Sequence, residues 1–259
     1  MQARPIFIEY RRRRGFQLEY QVVRSTEREI VKSGNPLMRL VGKKQSSKVV
    51  GNARVEMMMV QRTADVSPDW VASVKSTIES AARTVGGEPA PFGRDDDPCH
   101  TYLNERVDRF GNVLEVSGTA PRFLTGVFPD RSLRPGETWD VNEEVIIPKF
   151  NASGRPDGQE KVDLPYLYTL VGQQKVDNYQ CAEVKVVAKH QSYVNETTIH
   201  QYLIEGTLLF AYRDGFLVHS HVNTISRLGT QKSTTEDRII DEMRLLREGN
   251  EDTIGGMRL

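Results

Sequence analysis

Two groups of side chains in this sequence could do chemistry. His219 and His221 stand two apart in "FLVHSHVNTI". On a strand, residues two apart project from one face, so both imidazoles point the same way and could share a metal ion. The second group is the loop "EPAPFGRDDDPCH", in which Asp95, Asp96, Asp97, Cys99 and His100 all have ligand chemistry. Its donors are mixed: hard carboxylates suit calcium or magnesium, while thiolate and imidazole suit zinc. No calcium-loop spacing is present, and no second Cys or His lies nearby to complete a zinc site. The weak metal candidates are therefore His219, His221, Asp95, Asp97 and His100. The plainer expectation is a solvated acidic loop and two strand histidines, with no catalytic residue and no cofactor.

A third ligand for the histidine pair has to come from a neighbouring strand. Reading Arg213-Asp214-Gly215 as a three-residue hairpin loop, with glycine in the left-handed region, fixes the pairing. Phe210 then opposes Val218, Leu208 opposes Ser220, Leu209 opposes His219 and Thr207 opposes His221. His200 falls opposite Leu228, seven residues beyond His221 and too far to close a site. Elsewhere the sequence has no Gly-x-Ser-x-Gly elbow, no Walker loop and no dinucleotide glycine fingerprint. Asn151-Ala-Ser and Asn195-Glu-Thr are formal glycosylation sequons, meaningful only in a secreted eukaryotic chain.

The elements that would position these residues are mostly strands. "GFQLEYQVV" alternates Phe16, Leu18, Tyr20 and Val22 against polar neighbours, and "NARVEMMMVQR" sets Val55, Met57 and Met59 on one face. In "PDRSLRPGETWDVNEEVIIP", Pro135-Gly136 signals a type II turn. After it Trp139, Val141, Val145 and Ile147 alternate with polar residues; Glu143 alone breaks the apolar side, and Pro148 ends the run. Hairpins are expected at Arg109–Asn112, at Asp177-Asn178 and at Arg213–Gly215. One helix is expected near residues 68–85, in "SPDWVASVKSTIESAARTVGG": Ser67 as N-cap, Pro68 at the first helical position, Gly86-Gly87 as the stop. At a helical period Trp70, Val71, Val74, Ile78, Ala81, Ala82 and Val85 form an apolar stripe, which predicts a buried Trp70. "RIIDEMRLLR" fits either period, and its β context favours a last antiparallel strand, with "EGNEDTIGGMRL" as a flexible tail.

The fold class is thus mostly β, an antiparallel meander or curved sheet with one amphipathic helix. It divides into two related β units, 1–150 and 151–259 joined by the polar stretch Phe150 to Lys161, or runs on as one continuous domain. At 259 residues the core needs no staples. The 35 basic and 35 acidic residues cancel, which removes the electrostatic footprint of a dedicated nucleic-acid binder. No apolar run approaches the length of a membrane-spanning helix. The start "MQARPIFIEYRRRRGF" has no apolar region before its basic cluster, so the chain as written reads as cytoplasmic, and as exported or periplasmic if that start is a processed one. Two cysteines, Cys99 and Cys181, set no disulfide framework and are expected as free thiols unless the compartment lets them pair.

The order of "GFQLEYQVV", the turn-plus-tryptophan strand "RPGETWDV", then "YTLVGQQKVDNYQCAEVKV" and "GTLLFAYRDGFLVHS" resembles β-rich bacterial envelope-type proteins of unknown function, with their Gly-Glu/Asp-x-Trp strand starts. The resemblance implies a long antiparallel sheet; it brings no catalytic residue, and this chain departs from it in lacking an export signal. The expected function is non-catalytic: an accessory or scaffold subunit that binds protein partners in a larger bacterial assembly. A carrier of an apolar ligand in a cupped sheet is the alternative, and a hydrolase or metal-dependent enzyme the third. Peripheral membrane contact is compatible with all three.

Overall fold

The computed structural model describes residues 4–32, 47–93, 96–99, 101–151, 153, 155–229 and 233–250. They build β1 (Phe16–Lys32), β2 (Ser47–Val66), β3 (Ala72–Val85), β4 (Glu88–Pro89), β5 (Tyr102–Val107), β6 (Val113–Gly118), β7 (Thr138–Phe150), β8 (Pro156–Val176), β9 (Tyr179–Asn195), β10 (Thr198–Ala211), β11 (Phe216–Gly229) and β12 (Ser233–Asn250). No helix occurs among the described residues. All twelve strands belong to one sheet of order β6-β5-β3-β2-β1-β12-β11-β10-β9-β8-β7, with β4 attached beside β3. Every pairing is antiparallel, and the meander's halves meet where β1 pairs with β12, from Phe16↔Asn250 to Lys32↔Ser233. The mostly-β antiparallel expectation therefore holds, in a sheet that does not close.

The expected helix over 68–85 does not form; the same residues make β3 and the turn before it. "ASVKSTIE" carries a period of two as well as a period of 3.6, and the sheet selects the first. Ala72, Val74, Ser76 and Ile78 are buried, Ser73 and Thr77 between them are half-buried, and Lys75 and Glu79 are exposed. β2 on one side and β5 on the other satisfy the backbone of residues 72–77 in a ladder, which a lone helix would have to satisfy internally. Ser67 still caps, but it caps a turn. The Val71 amide donates to Ser67 Oγ at 3.2 Å and the Trp70 amide to the Ser67 carbonyl at 3.0 Å. Gly86-Gly87, read as a helix stop, turns β3 into β4 with both residues at positive φ (62° and 91°).

The edge strands β6 and β7 are consecutive in sequence, so the segment joining them, residues 119–137, has to travel from one edge of the sheet to the other. It crosses the concave face. Phe123, Val127, Phe128 and Leu133 are buried there, and Phe128 meets Phe210 of mid-sheet β10 at 4.8 Å. The N-terminal residues lie alongside as a second strap: Ile6 bridges Leu133, and Ile6, Ile8 and Tyr10 are buried. Inward-facing Leu18, Tyr20, Val22, Met57, Met59, Tyr168, Val184, Val186 and Leu208 complete the core beneath both straps.

The tryptophan strand is core, as its alternation implies. Trp139 is 8% exposed, stacks on Tyr168 at 5.5 Å and donates its indole N–H to the Val127 carbonyl at 2.8 Å. Gly136, at φ 88°, makes the preceding turn. Pro148 does not stop β7, which runs on to Phe150 through a bulge; an edge strand can spare the ladder donor a proline lacks. The stretch read as a polar connector is shorter than expected: Asn151–Arg155 closes a hairpin, and β8 begins at Pro156. At the other end, β12 carries Glu248–Asn250 in register with β1, so the tail begins later than its composition suggests. Residues 251–259 lie outside the described residues.

Candidate functional site

The residues with ligand chemistry are placed apart. His219 and His221 share the convex face, opposite Arg244 and Glu242 on β12. His219 Nε2 lies 3.3 Å from a Glu242 carboxylate oxygen, and His221 is exposed. The β10–β11 pairing matches the sequence register at Leu209↔His219, Leu208↔Ser220, Thr207↔His221 and His200↔Leu228. It differs at the loop. Ala211 pairs with Phe216, a bulge moves Phe210 opposite Leu217 rather than Val218, and the loop has four residues. Its Gly215 has φ 84°, and a Cβ there would lie 2.3 Å from the Arg11 backbone nitrogen.

In the acidic loop, Asp97 accepts the Cys99 amide proton at 2.8 Å and Asp96 pairs with Arg83 at 2.7 Å, so both carboxylates are engaged in local structure. Asp95 and His100 lie outside the described residues. No cluster of three or more His, Cys, Asp or Glu among the described residues could hold a metal. Cys99 and Cys181 are both free. Burial pushes the Cys181 thiol up to about 11, which leaves it an inert, protonated core residue.

The histidine that pairing analysis discards is the buried one. His200 is 1% exposed, its Nε2 lies 2.9 Å from Ser226 Oγ, and the Phe150 ring packs against it at 4.9 Å. Phe150 comes from the edge strand β7, so this contact shows how tightly the sheet curls over its concave side. Burial lowers the His200 pKa, and His190 adds to that, so the imidazole stays neutral. A serine beside a histidine is the start of a nucleophilic pair. Here no carboxylate among the described residues hydrogen-bonds the ring to orient it, and the contact reads as a satisfied interior polar pair.

The curl brings the sheet's edges near each other. Arg122, on the crossing strap, reaches Glu105 of β5 at 3.1 Å and Glu143 of β7 at 3.5 Å. Glu143 is the residue that interrupts the apolar alternation of β7, and this bridge is why it points inward. Burial raises its carboxyl pKa, and Arg122 opposes the rise. Tyr168 Oη is buried without a geometrically sound hydrogen bond, yet it lies close enough to Glu143 to favour the carboxylate.

Exposed apolar side chains are spread over the sheet, from Val49 of β2 to Tyr193 of β9 and Leu246 of β12, and three of them stand at the β6 edge. Trp70 is 57% exposed at φ 61°, a left-handed conformation rare for a non-glycine residue. Its turn leads directly into Ala72, which pairs with Val107, which pairs with Val113 of β6. Along β6 itself Leu114 and Val116 are 54% and 57% exposed. Beneath this corner Ala72, Val74 and Val107 form a small separate core that keeps the turn and the edge in place. Sequence reasoning missed the corner because it placed Trp70 on a helix. The cluster Ser67-Pro68-Asp69 between two apolar runs is also a turn signal. No protein-family model matches this chain, and no curated protein matches it.

Proposed function

We propose that the protein is a non-catalytic scaffold subunit that docks an extended segment of a partner protein on the free edge of β6, with Trp70 as anchor. The observation that carries this reading is the corner where Trp70, Leu114 and Val116 stand exposed beside a strand edge that has no ladder partner among the described residues. Large exposed aromatics on a fixed turn are typical interface anchors, and a free strand edge offers a row of unpaired amides and carbonyls to an added strand. The other edge is protected: β7 carries Pro148 and charges at Glu144 and Lys149. β6 has a single charged residue, Glu115, and Arg106 of β5 pairs with it at 2.7 Å. An apolar-ligand carrier finds less support, because the straps and inward side chains fill the concave core, the cavity beside Arg12 has about 20 Å³, and the larger hollows, about 300 Å³ beside Asn52 and Arg238 and about 530 Å³ beside Lys75 and Glu115, are lined mostly by polar residues. No helix among the described residues is long and apolar enough to cross a membrane.

Photo-crosslinking in the source cell tests the reading. A crosslinker at Val116 should give a defined protein adduct, and one at Ile146 on the opposite edge should not. Trp70→Glu should fold normally and lose the Val116 adduct. No adduct at Val116, or equal adducts at both edges, would overturn the assignment.

A further inference from the structure

Four consecutive arginines, Arg11–Arg14, end the N-terminal strap, and one of them is unlike the rest. Arg11 pairs with Glu9 at 3.3 Å and donates to the Arg213 carbonyl at 2.7 Å; Arg13 and Arg14 are exposed. Arg12 turns inward. Its Nη1 donates to Gln61 Oε1 at 3.1 Å, and its guanidinium carbon sits 5.0 Å over the Tyr10 ring. Its Nε is buried and finds no acceptor among the described residues, and no carboxylate among them pairs with the guanidinium. The hydroxyls nearby are committed as donors, Tyr10 Oη to the Thr125 carbonyl at 2.6 Å and Tyr20 Oη to the Leu217 carbonyl at 3.0 Å. Glu105, a carboxylate whose field reaches Arg12, is held by Arg122.

Arg12 lines a cavity of about 20 Å³, walled by Phe16, Leu18, Met59 and Phe216 among others. That space suits one particle of about a water's size and is too small for phosphate or sulfate. A guanidinium cannot shed its proton inside a protein, and a buried cation without a partner is costly. Two explanations fit the size. A water molecule would satisfy the Nε donor and leave the charge uncompensated. A monoatomic anion would do both, and the neighbouring arginines favour its entry.

We propose that this cavity is a halide site, in which one chloride ion accepts from Arg12 Nε and serves as the counterion that the fold does not supply. The site would tie the N-terminal strap to β1 and β2 through an ion rather than a carboxylate.

The test is melting of the purified protein in sodium chloride, sodium bromide and sodium sulfate at matched ionic strength, with crystallography of the bromide form. The expected result is a saturable rise in Tm with chloride and bromide, about 3–5 °C at ten times the dissociation constant, and no such rise with sulfate. Arg12→Gln should abolish the halide response and be at least as stable as the native chain in halide-free buffer, because it no longer carries the unpaired charge. Arg13→Ala with Arg14→Ala should keep the response. Bromide crystals of the native chain should show an anomalous peak beside Arg12 Nε, which keeps the proposal testable if Arg12→Gln fails to fold. Water or no peak at that position, or equal stabilisation by sulfate, would overturn it.

Discussion

Trp139 fills the core under the crossing strap and satisfies a buried carbonyl on that strap, so removing it costs packing and a hydrogen bond together. Trp139→Ala should destabilise the protein by about 3–5 kcal/mol, read as a lower urea midpoint at unchanged slope. An unchanged midpoint would mean the indole is not the strap's anchor. Its role was legible in the sequence because a turn followed by strict alternation fixes which side of a strand is buried. The roles of His200 and Arg12 were not. Each depends on what a distant part of the chain brings to it, Ser226 and Phe150 in one case and Gln61 and Tyr10 in the other.

β3 is the element where two periodicities compete, and two substitutions separate them. On a helix, Ser76 lies off the apolar stripe and Ala82 lies on it. On the strand, Ser76 is 5% exposed and accepts a hydrogen bond from Gln61 at 3.3 Å, while Ala82 is exposed. Ser76→Lys should therefore cost about 3 kcal/mol or more by burying an unpaired charge, and Ala82→Lys should stay within about 0.5 kcal/mol. Thermal melts of the two variants would check this, and the reverse order would restore the helix. The sequence could not choose because eight residues of "ASVKSTIE" serve both patterns. The choice came from β2 and β5, whose ladders take up the backbone donors and acceptors of β3.

For the whole molecule, the consequential feature is a sheet curled almost onto itself and bridged near its edges by Arg122. Glu143 is the titrating part of that bridge. Burial raises its folded-state pKa above the ordinary 4.5, so the folded protein holds the proton more tightly than the unfolded chain. The stability of the native protein relative to Glu143→Gln should then fall as pH rises from 4.5 through the raised value, and level off above it. Urea unfolding of both proteins across about pH 4–8 would show this. A difference that grows in the native protein's favour as pH rises would mean that Arg122 outweighs burial.

Alternation and turn residues are local properties, and they determined that the chain is mostly β, where Trp139 faces and that a hairpin turns near Gly215, while they left the last strand, β12, open between two periods. Pairing order is not local. Joining the first strand to the last, and the two edges by a strap over the concave face, came from burying the inward residues of all the long strands at once. That global requirement turned the expected helix into β3, moved Trp70 from core to exposed corner, and drew Arg12 inward without a carboxylate, because apolar burial is shared among strands far apart in sequence while a single segment's period knows only its neighbours.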